Sequence, residues 1–236
     1  EKATQGVEIK IIYDDVGSIG FINNDFVNRM KKKGISCRIF NPLRPFVNGF
    51  VNNRDHRKIT IVDGYIGYTG GFNLADEYFN ITSPYGHWKD ACVRIEGHAV
   101  ESFTAMFIEM WNGIAKGYDD IERFLFPDIA PFSEQERKAK GLGLVQPYAD
   151  SPLDNEYVGE NIYINMINSA VNYVWFSTPY LIIDDEMRRA MSLAALKGVD
   201  VRIIIPAIPD KKGIYKVTNS YASSLSESDI KIYKYT

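Results

Sequence analysis

Histidine and cysteine are scarce in this chain: three and two residues, respectively, among 236. Two cysteines, Cys37 and Cys92, cannot build the disulfide framework of a small secreted domain. Both lie in apolar, strand-forming surroundings, which predicts buried free thiols rather than redox chemistry. His56, His87 and His98 have no spacing that suits zinc. An excess of either charge is missing too. Lys and Arg total 27 against 30 Asp and Glu, a net charge of -3, so no global basic field gathers nucleic acid. No run of about 18 apolar residues occurs, so no membrane-spanning helix is expected within the chain, and no signal-peptide pattern follows Glu1. What remains is 45% hydrophobic and 24% charged, enough for a sizeable core in one large domain or two modest ones.

One segment breaks the even charge distribution. Arg44, Arg54, Arg57 and Lys58 surround His56, with only Asp55 opposing them. A run of charge alone is ordinarily a solvated loop. Here it contains His56-Arg57-Lys58-Ile59-Thr60-Ile61-Val62-Asp63, the pattern H-x-K-x-x-x-x-D, with Gly70, Gly71 and Asn73 downstream. Residues two apart on a strand share a face. An imidazole and an ammonium so placed can work together on a phosphate: one attacks phosphorus, the other neutralises its oxygens. An anion site is then the better reading. Asp63-Gly64 between strand-formers at 58–62 and 65–69 also signals a hairpin, which gives Asp63 a structural explanation beside a chemical one.

The coarse pattern is α/β. Strands are expected at residues 7–13, 35–40, 58–62, 65–69, 89–95, 173–177 and 199–205, and helices at 21–33, 98–111, 161–170 and about 185–197. Residues 41–55 form a long loop rich in Pro and Asn, a length that usually has a function. The apolar stripe of Ala99, Val100, Phe103, Met106, Phe107, Met110 and Trp111 reads as core. An internal repeat is also visible. Residues 3–12 reappear as 195–204 at an offset of 192, with most pairs identical or similar, and Gly34-Ile35-Ser36-Cys37 is echoed by Asp229-Ile230-Lys231-Ile232. His56 lies 21 residues after Ile35, and the same step from Ile230 passes Thr236, so the sequence reads as a piece of a longer chain. The expected organisation is a first domain at 1–118, a linker at 119–150, and the start of a second, related domain at 151–236.

The H-x-K-x-x-x-x-D segment resembles the half-site motif of the phospholipase D superfamily. Phe40-Asn41-Pro42-Leu43-Arg44-Pro45 before it, and the residues from Thr69 to Tyr78 after it, resemble the bacterial cardiolipin synthase branch. The Gly-Gly form at 70–71 fits that branch, since a serine often stands at the Gly71 position in the wider superfamily. Trp88-Lys89-Asp90 and Thr178-Pro179-Tyr180 extend the likeness along nearly the whole chain. The resemblance implies a phospholipase D-like fold, with a mixed β-sheet flanked by helices in two pseudo-repeated halves, the second incomplete. It implies phosphatidyl transfer between two phosphatidylglycerol molecules through a phosphohistidine, with release of glycerol.

By the same resemblance His56 is nucleophile or general acid/base, Lys58 holds a phosphoryl oxygen, Asn73 donates to the phosphate, and Asp63 is the motif aspartate. Gly70 and Gly71 let the backbone approach the anion, Arg44 and Arg54 grip a lipid headgroup, and Asp90 orients a motif histidine. No metal or other cofactor is implied, because side-chain cations do the electrostatic work. The expected partners are an anionic phospholipid and a bacterial membrane surface, not nucleic acid. The second half-site would come from the parent chain or a second copy. Alternatives left open are a lipid hydrolase, a nuclease, or a piece that binds anionic lipid without turnover. Ile121, Phe124, Leu125, Phe126, Ile129 and Phe132 either meet a bilayer interface or, the favoured reading, cover the core.

Overall fold

Short β-branched segments separated by glycine-closed helices dictate parallel strand pairs, and a tight Asp-Gly turn dictates an antiparallel one. Both kinds are present in the computed structural model, which describes residues 1–23, 25–43, 53–115, 117–126, 133, 135, 143–150 and 156–236. The chain divides into two compact units: Glu1–Phe72 with Ala91–Pro147, and Asn73–Asp90 with Tyr148–Thr236.

In the first unit, β1 (Lys10–Asp14) pairs in parallel with β2 (Ser36–Phe40), and α1 (Phe26–Lys32) forms the crossover. Gly34, with φ of 76°, turns the chain out of α1 in a conformation that costs glycine least. A meander of β3 (Ile59–Val62), β4 (Ile66–Gly70) and β5 (Cys92–Glu96) follows. The helix α2 (Ala99–Ile114) lays Val100 and Phe103 against Ile95, Ile59 and Ile61, so the apolar stripe is core as expected. Gly67 permits this approach, because a Cβ there would stand 2.7 Å from the Phe103 ring. Trp111 is buried under the Arg38 guanidinium, 4.0 Å from the ring centroid.

In the second unit three parallel strands run in the order β6 (Tyr173–Ser177), β7 (Asp200–Pro206), β8 (Lys231–Tyr235). Their helices are α3 (Val158–Ser169), α4 (Asp185–Leu196) and α5 (Lys212–Ser226). Val201, Ile203 and Ile205 of the central strand are fully buried against Ile167, Met191, Ala194, Leu225 and Ile230. Each such side chain contributes about 1.5–3 kcal/mol of transfer free energy. The α5 helix was not expected. Its Ser- and Thr-rich sequence has weak intrinsic preference, and burial of Thr218, Ala222 and Leu225 secures it.

The repeat survives at the level of register. Lys10 faces Ser36 in the first unit, and Arg202 faces Lys231 in the second, the partners that the sequence offsets assign. The glycines before the two strands, Gly6 and Gly198, share a φ of 89°. Even the closing bond recurs: Asp15 N–H donates to the Phe40 carbonyl at 3.3 Å, and Ala207 N–H to that of Tyr235 at 2.8 Å.

The parallel and antiparallel ladders lie in three sheets, which with their flanking helices make up the mixed α/β pattern expected. The compact units run differently from the domains at 1–118, 119–150 and 151–236: residues 73–90 fall in the second unit, and the described residues between 119 and 147 fall in the first. The reason is packing. Phe126 lies against Tyr65 at 5.0 Å between ring centroids, while His87 hydrogen-bonds Tyr235 at 2.9 Å. Phe124 and Phe126 therefore cover the hairpin; Ile129 and Phe132 lie outside the described residues. Finally, Cys92 is exposed and Cys37 half-buried, although burial does push the Cys37 thiol up.

Candidate functional site

Two consecutive aspartates, Asp14 and Asp15, stand where β1 ends. Because β1 and β2 are parallel, the loop that leaves Phe40 starts at this same edge. The Asp15 carboxylate accepts the Leu43 N–H at 2.7 Å. The Asp14 carboxylate accepts three donors: Gly17 N–H at 2.8 Å, Arg54 Nη1 at 3.3 Å and Asp55 N–H at 3.1 Å. Arg54 Nη2 donates to the Asn41 carbonyl at 3.0 Å, and Asn41 Nδ2 to the Asn53 carbonyl at 2.8 Å. Both ends of the long loop are thus fastened to one strand terminus. The Asp14 side chain is only 8% exposed, so these bonds form largely out of water, where charge-assisted bonds are strongest.

His56, Arg57 and Lys58 come next, before β3 begins, in extended chain outside any ladder. His56 is exposed and Lys58 half-buried. The Lys58 ammonium donates to the carbonyl of His56 at 2.7 Å. The ammonium is thus held at the main chain of the motif histidine, in extended chain rather than in a strand ladder. Arg57 turns elsewhere, its Nε donating to Asp55 at 2.8 Å. The last rung of the hairpin is Ile59 opposite Thr69, so Lys58 and Gly70 follow at the same end of the sheet, Gly70 still paired with Cys92 of β5.

The other site residues are placed less simply. Asp63 lies at the opposite end of β3, in the turn, with φ of 54° followed by 65° at Gly64. Tyr65 N–H closes that turn onto the Val62 carbonyl at 3.1 Å. This is the type I′ geometry that Asp-Gly favours, and it supports the structural explanation of Asp63. Arg54, expected to grip a headgroup, has its guanidinium engaged by Asp14 and Asn41. Gly70 meets a steric demand, since a Cβ there would stand 2.6 Å from the Ala91 carbonyl oxygen; Gly71 N–H donates to that oxygen at 3.4 Å. Arg44 lies outside the described residues. Asn73 and Asp90 bound the segment assigned to the second unit, where Asp90 accepts the Trp88 indole N–H at 3.3 Å.

Sequence reasoning missed Asp14 and Asp15. The signal was available in the repeat: at the same positions the second copy has Pro206 and Ala207, whose side chains accept nothing.

Elsewhere, Tyr180 donates to Asp210 at the end of β6, and burial with that carboxylate pushes the phenol far up. Among the described residues, Glu160, Asp184 and Glu186 form one carboxylate group within 4.8 Å. A hydrogen bond between Glu160 and Asp184 raises the former, while Asp184 is lowered first by the Met187 N–H and then by that bond. No described helix is long and apolar enough to cross a membrane.

Comparisons with known proteins agree with the motif. The family model described as "Cardiolipin synthase, PLD-like domain" matches residues 1–111 and 163–236. A cardiolipin synthase of Oceanobacillus iheyensis is 38% identical over 237 residues, covering 100% of this chain and 47% of that protein. One of Geobacillus kaustophilus is 37% identical over 238 residues, covering 100% and 45%. The chain thus spans about half the length of the curated relatives it matches. A solved phosphatidylserine synthase of Haemophilus influenzae Rd KW20 superposes with a TM-score of 0.50 at 10% identity, covering 99% of this chain and 71% of that one, a likeness of fold. With the His-x-Lys pair at a sheet terminus, the repeated parallel register and a family match over most of its length, the chain belongs to the PLD-like cardiolipin synthase family.

Proposed function

We propose that this chain supplies one half-site of a phosphatidyltransferase that joins two phosphatidylglycerol molecules into cardiolipin. The observation that carries the reading is the His56–Lys58 pair: an exposed imidazole with an ammonium hydrogen-bonded to its own residue's carbonyl. An imidazole nitrogen of His56 attacks the donor phosphorus. A P–N bond forms, the P–O bond to the headgroup glycerol breaks, and glycerol leaves with a proton from a general acid. A second half-site, from the longer chain or another copy, supplies that acid. The acceptor's headgroup hydroxyl, deprotonated by the same group, then attacks the phosphohistidine. A P–O bond forms, the P–N bond breaks and His56 is restored. Lys58 stabilises the oxygens that gather charge in both transition states.

The substrate is lipid at a membrane surface. The chain's net charge of -3 gives nothing to collect a polyanionic nucleic acid. The test is product analysis with the full-length protein and phosphatidylglycerol vesicles. Cardiolipin and glycerol are expected in equal amounts, with none from a His56→Ala variant and about 100-fold or greater loss from Lys58→Ala. Phosphatidic acid as the sole product would reassign the enzyme as a hydrolase. Full turnover by His56→Ala would remove that residue from the reaction.

A further inference from the structure

We propose that Asp14 and Asp15 are positioning residues for the His56–Lys58 half-site, closing the base of the loop that delivers it. The inference rests on the phosphatidyltransfer reading. It concerns residues that touch neither lipid nor phosphate.

The geometry comes first. The loop leaves β2 after Phe40 and returns at residue 53. Asp15 holds its outgoing limb through Leu43 N–H, at 2.7 Å. Asp14 holds its returning limb through Arg54 Nη1 and Asp55 N–H, at 3.3 Å and 3.1 Å. Arg54 and Asn41 tie the limbs to each other. His56 follows Asp55 directly, so its main chain starts one residue from an anchored amide. Few freely rotating bonds separate the Asp14 carboxylate from the imidazole's starting point.

The second copy provides an internal control. It builds the same two-strand register, with the same closing bond from residue 207 to residue 235, using Pro206 and Ala207 where the first copy has Asp14 and Asp15. The β-α-β unit therefore needs no carboxylate at either position. The two carboxylates are turned instead on the chain segments that lead to the motif, apart from the Gly17 N–H that Asp14 also accepts. Fixing the nucleophile in a reactive pose matters because a misplacement of about 1 Å can cost about 100-fold in rate.

The experiment uses the full-length protein with Asp14→Ala, Asp14→Asn and Asp15→Ala variants, and Asp25→Ala as a control on the same crossover. Asp14→Ala is expected to lower kcat about 100-fold with KM within about twofold, because substrate contacts remain while alignment is lost. Asp14→Asn keeps an acceptor oxygen for the Asp55 N–H and should recover most of that loss. Amide exchange at residues 53–58 should accelerate at least tenfold in Asp14→Ala, with exchange in β7 unchanged. Asp15→Ala should behave alike if Asp14→Ala does not fold. Unchanged exchange at residues 53–58, or a rate loss matched by a loss of folded protein, would overturn the proposal. If the wild-type protein transfers no phosphatidyl group while exchange still responds, the positioning stands and the functional reading falls.

Discussion

Asp63 and Gly64 separate chemistry from scaffold at the residue scale. Asp63 completes the H-x-K-x-x-x-x-D pattern, yet its task is to hold φ of 54° in a two-residue turn. Asparagine adopts that conformation as readily as aspartate. Asp63→Asn should thus leave transfer within about twofold of wild type and stability within about 0.5 kcal/mol. Gly64→Ala should fail, since φ is 65° and a Cβ would stand 2.2 Å from the Phe124 carbonyl oxygen. A loss of at least about 2 kcal/mol in urea unfolding is expected. If Asp63→Asn abolished transfer while the fold held, the aspartate would belong back in the mechanism. Spacing makes His56 and Lys58 neighbours, because residues two apart stay close in extended chain. It is silent on Arg54: a guanidinium fits a carboxylate as well as a phosphate, and only the tertiary structure brings this one to Asp14.

Asp200 acts at the scale of the element. Its carboxylate accepts Arg202 on β7 and Lys231 on β8, both at 2.7 Å, and the Trp175 indole of β6 at 3.4 Å. One side chain thus spans all three strands. The Arg202 and Lys231 bonds hold its carboxyl down at about 2, against an ordinary value of 3.8. The unfolded chain binds this proton more readily, so the stabilisation is complete above about pH 4 and drains as pH falls toward 2. Urea midpoints followed by circular dichroism should drop across that window, and less steeply in Asp200→Asn. Equal slopes in the two proteins would rule Asp200 out as the group responsible. Most elements were legible because apolar periodicity is local. The hairpin, α2 and the central strand β7 follow directly from it. By contrast α5 has little signal of its own, and the expected strand at 7–13 begins only at Lys10, where the partner Ser36 becomes available.

At the scale of the whole molecule, the sequence carries a single H-x-K-x-x-x-x-D motif, since His87-Trp88-Lys89 lacks the aspartate, while the proposed reaction calls for two histidines. On the proposed reaction, these 236 residues purified and verified as a monomer should release at least about 1000-fold less cardiolipin than a protein carrying both half-sites, the combined cost of lacking a general acid and the facing half-site. Robust turnover by that monomer would sink the two-histidine scheme. The division into units was the least legible feature. Residues 73–90 adjoin the motif in sequence but join the second unit, and the described residues between 119 and 147 look like a linker but fall in the first.

What the sequence determined by itself is everything carried by near neighbours: the α/β class, the hairpin, the buried strands, the His-x-Lys pair and the repeat whose register the ladders keep. Tertiary structure alone decided which charges meet. Arg54 and Asp14 are 40 residues apart, and no period or propensity links them. Hydrophobic patterning is written into each element, whereas ion pairing depends on which loops share a sheet edge, and that is settled only once the strands have paired.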